Sequence, residues 1–100
     1  MKDHKMIDSR GTLLDEGAKQ ILSKATDVSC ECPEHLIQIL SSIKAFTKYQ
    51  ESCITEKPND TLVHDWLKST SINLEHFVSS AILHLARIEG IIDEDNKLVD

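Results

Sequence analysis

The densest chemistry in the chain is the run Cys30-Glu31-Cys32-Pro33-Glu34-His35. Two thiols one residue apart, followed by an imidazole, are ligand types that zinc prefers. A helix starting at Pro33 would favour the thiolate form through its positive end, so a reactive or redox-sensing thiol is the other chemistry this spacing allows. Structural zinc sites usually combine two separated ligand pairs. This cluster offers Cys30, Cys32 and His35 and needs a fourth ligand. Cys53 lies 18 residues past His35 on the same helical pattern, about 27 Å away along a helix, so it cannot complete the set within one unbroken helix. His76, His84, Glu31, a water or a residue of a second subunit remain as candidates.

A second candidate pair is Cys53 with His64, which flank the turn around Pro58. Two ligands are too few for a metal site, and a cysteine on an apolar stripe also reads as a small core residue. His64, His76 and His84 share one helical pattern but not one face. The chain shows no HExxH motif, no phosphate-binding glycine loop and no nucleophile–base arrangement. It therefore makes no case for an enzyme.

Few breakers interrupt the elements that must position these residues: three Gly and two Pro in 100 residues. Residues 1 to 10 read as a polar lead. Residues 12 to 26 read as a short helix, capped by Thr12 or Ser9, with Leu13, Leu14, Ala18, Ile21, Leu22 and Ala25 as its stripe; Gly17 weakens it by about 1 kcal/mol relative to Ala. From Pro33 to Cys53, Leu36, Ile39, Leu40, Ile43, Phe46, Tyr49 and Cys53 recur at spacings of three and four, which predicts a long helix. Pro33 suits a first helical turn, and Glu34 complements the dipole there.

After a turn at 55 to 60, a second long helix is predicted from Thr61 to Glu89, ended by Gly90. Its main stripe is Val63, Trp66, Leu67, Thr70, Leu74, Phe77, Val78, Ala81, Leu85 and Ile88. Ser69 to Asn73 has weak helix propensity and is a candidate kink. Ile72 and Leu83 fall on the opposite face, beside His76 and Ser79. Residues 91 to 100 read as an acidic tail, with Ile91 and Ile92 able to cap the core. No repeat stands out.

A short turn between two long helices makes them antiparallel neighbours. The expected fold is all-α: one domain over 1–100, a short N-terminal helix and two long antiparallel helices. One pairing cannot cover both faces of the last helix, so either the first helix or a second chain must cover the remainder; both are expected to, which implies a homodimer forming a bundle.

The composition, 40% apolar and 28% charged, excludes disorder of the whole chain. The net charge of −6, with no basic cluster, argues against direct nucleic-acid binding and against an anionic membrane surface. No stretch approaches a membrane span. An odd cysteine count, with no apolar export segment at the start, points to a reduced cytoplasm rather than a disulfide framework.

From Cys30 to Gly90 the chain resembles a helical segment found downstream of the DNA-binding head in certain MerR-type bacterial transcription regulators. The phrases that match are Cys30-Glu31-Cys32-Pro33-Glu34-His35-Leu36, then Phe46, Tyr49 and Cys53, then Pro58-Asn59-Asp60 and Leu62-Val63-His64. The resemblance implies a cytoplasmic, dimerising regulatory module, with Cys30, Cys32, His35, Cys53 and His64 as the positions to watch. No winged-helix head accompanies these phrases, so a stand-alone module or a truncated piece of a longer regulator is expected. The leading expectation is a non-enzymatic, dimeric interaction module acting through protein–protein contacts. The alternative is a zinc or redox sensor built on Cys30, Cys32 and His35.

Overall fold

Three helices account for most of the chain in a computed structural model, which describes residues 6–25, 31–56 and 61–99. They are α1 (Asp15–Ala25), α2 (Cys32–Glu56) and α3 (Thr61–Ile88). The all-α class read from the sequence holds. Among the described residues the only β-type pairings are two isolated bridges, Ile7 with Leu13 and Ile92 with Leu98. No described helix is long and apolar enough to cross a membrane. The turn at 57–60 lies outside the described residues.

α2 begins where Pro33 predicts and carries Glu34 in its first turn. α3 is continuous through Ser69 to Asn73, so the candidate kink is not formed. The reason is tertiary: Ser71 lies in the helix interface and is only 1% exposed. Its hydroxyl donates back to the Lys68 carbonyl at 2.8 Å. Gly90 ends α3 with a left-handed φ of 75°. Its N–H donates to the Arg87 carbonyl, and the Ile91 N–H donates to the Ala86 carbonyl at 2.8 Å. This pattern satisfies the last carbonyls of the helix and folds Ile91 back onto it.

α2 and α3 run antiparallel. As residues rise along α2, their partners descend along α3: Thr47 meets Glu75 and Ser71, and Glu51 meets Lys68. The core gathers around Leu40, Ile82, Leu83 and Ala86, with Ile21 from α1 and with Leu13, Ile91 and Ile92 from the flanking turns.

α1 is shorter than the sequence pattern indicates, because residues 6–14 form a closed turn instead. Thr12 does not cap α1; Leu14 supplies the first helical carbonyl, to Ala18 N–H. In the turn, Asp8 Oδ1 accepts from the N–H groups of Arg10 and Thr12, and Gly11 takes a φ of 80°.

The other end of the chain repeats this arrangement. Asp93 Oδ1 accepts from Asp95 and Lys97 N–H, and Asn96 takes a φ of 62°. The backbone bonds correspond one for one: Asp8 with Thr12 and Asp93 with Lys97, Met6 with Leu14 and Ile91 with Val99. The shared phrase is Ile-Asp-x-x-(Gly/Asn)-x-Leu, at 7–13 and 92–98. The described parts of the expected polar lead and acidic tail are therefore two copies of one turn. They are anchored by buried Met6, Leu13, Ile91 and Ile92.

Candidate interaction face

The two long helices have two faces with opposite treatment. On α3 the buried side chains are Ser71, Glu75, Ser79, Ile82, Leu83 and Ala86. At about 100° per residue these share one side of the helix. Val63, Trp66, Leu74, Phe77 and Ile88 point roughly 140° away from them and are exposed. The main apolar stripe of the sequence is therefore largely the outer face. The residues that looked peripheral, Leu83 and Ser79 among them, line the core.

A polar network on the covered side explains the inversion. Glu75 is 2% exposed. Its Oε1 accepts from the Thr12 hydroxyl at 3.1 Å and its Oε2 from the Thr47 hydroxyl at 2.5 Å. Arg10 lies 4.0 Å from the same carboxylate. Ser79 Oγ accepts from Leu13 N–H at 2.7 Å. Lys44 donates to the Leu13 carbonyl and to Asp15 Oδ1; that hydrogen bond and the Lys44 charge hold the Asp15 carboxyl below the usual carboxylate range. These contacts clamp the first turn onto the α2–α3 hairpin. Arg10, Lys44, Lys48, Glu51 and Glu75 also line a shallow cleft of about 270 Å³ there.

Among the described residues, the opposite side of the hairpin carries exposed apolar side chains. α2 presents Ile39, Phe46 and Tyr49 on the same side as the α3 stripe, because α1 and the first turn engage both helices on the other side. Phe46, Tyr49, Trp66 and Phe77 are the only aromatic residues in the chain. All four are exposed, by 42%, 62%, 65% and 72%. No Asp, Glu, Lys or Arg occupies the stripe positions 39, 42, 46 and 49 of α2 or 63, 66, 70, 74, 77 and 81 of α3. In a chain that is 28% charged, this face has the composition of an interface centre rather than of a solvated surface.

The metal candidates fare differently. Cys30 lies outside the described residues. Cys32 and His35 share the first turn of α2 and are exposed, and His35 Nε2 lies 3.5 Å from Glu31 Oε1. Cys53 is buried, as its place on an apolar stripe suggests. His64 is taken by another partner: its Nδ1 lies 2.5 Å from Gln50 Oε1. His76 instead packs over Gly11, and His84 lies beside Ile88 and Ile92. Among the described residues no three His, Cys, Asp or Glu side chains are grouped to hold a metal ion.

The open face is what sequence reasoning placed on the wrong side. The only available signal was that one α3 face is too apolar and aromatic to be filled by α2 alone. The polar core residues Ser71, Glu75 and Ser79 gave no apolar cue at all. Comparison with protein-family models, curated proteins and solved structures finds no match to this chain. The likeness to MerR-type segments thus rests on the phrases between Cys30 and His64 alone.

Proposed function

We propose that the protein is a non-enzymatic, dimeric interaction module that acts through protein–protein contacts made by its long helices. The observation behind this reading is the exposure of every aromatic residue on one uncharged face. Large aromatics are the commonest anchors of protein interfaces, and water-exposed clusters of them are costly. The shape agrees. The molecule is elongated, 51 × 30 × 16 Å. Its radius of gyration is 15.4 Å, against roughly 13 Å for a compact chain of this length. Stable domains bury an apolar face beneath a second layer, and a second copy supplies one. The regulatory character of the module, of the bacterial transcription-related kind, is supported by the MerR-like phrases.

Light scattering at tens of micromolar tests the assembly. The wild type is expected at twice the chain mass. Phe77→Glu, which puts a charge on the open face and leaves the core untouched, is expected at the monomer mass with its helical circular dichroism retained. A monomeric wild type would contradict the proposal.

A further inference from the structure

Five residues on the open face of α3, from Val63 to Phe77, are palindromically spaced, and this specifies how a second copy docks. On α3, Val63 and Phe77 each lie seven residues from Thr70, and Trp66 and Leu74 each lie four residues from it. A two-fold axis at Thr70 would set Phe77 of one copy on Val63 of the other and Trp66 on Leu74. Each contact then pairs a large ring with an aliphatic side chain, and two small threonines meet at the axis. Such alternation of large and small is what interdigitated packing needs.

On α2 the two aromatics lie near the same level. Phe46 and Tyr49 straddle the midpoint between Thr47 and Lys48. Within the hairpin, Thr47 Oγ1 lies 2.7 Å from Ser71 Oγ and Glu51 pairs with Lys68. Position 70 of α3 is therefore level with residue 48 of α2. One axis perpendicular to the helices, in the plane of the open face, passes over Thr70 and between Phe46 and Tyr49. All four aromatics fall around it.

Resting on the dimeric reading above, we infer that two copies pack face to face as an isologous four-helix bundle, with α3 antiparallel to α3 and α2 antiparallel to α2, about an axis at Thr70. Scaled by their exposures, Phe46, Tyr49, Val63, Trp66, Leu74 and Phe77 offer on the order of 700 Å² per copy, near the roughly 800 Å² per partner of a standard stable interface. Self-complementarity of this kind is the requirement of a two-fold contact, in which each residue meets its mate reciprocally. A foreign helix would have no need of the palindromic spacing on α3.

Pulsed dipolar spectroscopy on the full chain tests the register. Nitroxides are placed singly at Ser69→Cys or Ser80→Cys, both exposed and off the stripe, with Cys30→Ser, Cys32→Ser and Cys53→Ala removing other thiols. The axis at Thr70 separates the two Ser69 sites by about 3 Å along the helix and the two Ser80 sites by about 30 Å. The expected result is a Ser80 distance longer than the Ser69 distance by more than about 10 Å. Equal distances, or the reverse order, overturn the register while leaving a dimer standing. No dipolar coupling at either site, with a monomeric mass, overturns both the register and the dimeric reading.

Discussion

At the scale of single residues, Gly11 shows how tightly the first turn is specified. Its φ of 80° is a left-handed conformation that side chains other than Asn and Asp rarely adopt, and a Cβ there would meet His76 Cδ2 at 2.3 Å. Gly11→Ala therefore meets two obstacles, backbone strain and a ring that must swing away. We expect it to cost about 1–3 kcal/mol, the range for a strained non-glycine conformation. Urea unfolding of Gly11→Ala alone and with His76→Ala separates the two: the double variant should recover the steric part only. The matching position in the second turn is Asn96, the commonest non-glycine in this conformation, whose amide oxygen accepts from Arg87. The two turns thus meet one backbone requirement with different residues. That substitution, together with different residues between the fixed positions, hid the repeat from the sequence pattern.

At the scale of elements, the helices were legible and their faces were not. Pro33, Gly90 and the three-and-four spacing located α2 and α3 closely, because caps and periodicity are local. Which stripe faces inward is a tertiary matter. Thr47, Ser71, Glu75 and Ser79 carry little hydrophobicity, yet small side chains let α2, α3 and the first turn approach closely, and their hydrogen bonds satisfy one another. No local rule ranks such a polar seam above a stripe bearing Trp66 and Phe77. The seam predicts a clear mutational signature. Thr47→Val keeps the shape of the side chain but removes the donor at Glu75 Oε2. A buried carboxylate losing one of its donors should destabilise the fold by about 1–3 kcal/mol, measured as a lowered urea midpoint with an unchanged slope. Removal of a single exposed polar group would shift the midpoint far less. The candidate thiol–imidazole site was legible as a motif only. The structure keeps Cys32 and His35 on one exposed turn and turns His64 to Gln50, whereas Cys30 falls outside the described residues.

At the scale of the whole molecule, the α2–α3 hairpin is covered on one side and open on the other. One side of the α2–α3 hairpin is closed by α1 and the paired turns; the other keeps the four aromatics for a second copy. Trp66, the only tryptophan in the chain, sits on that face and is 65% exposed in one copy, so it reports directly on whether the face is covered. Its fluorescence across a dilution series is the most direct test. The account predicts blue-shifted emission protected from acrylamide at tens of micromolar, moving to red, freely quenched emission wherever dilution reaches the monomer. Red, unprotected emission at every concentration would contradict it.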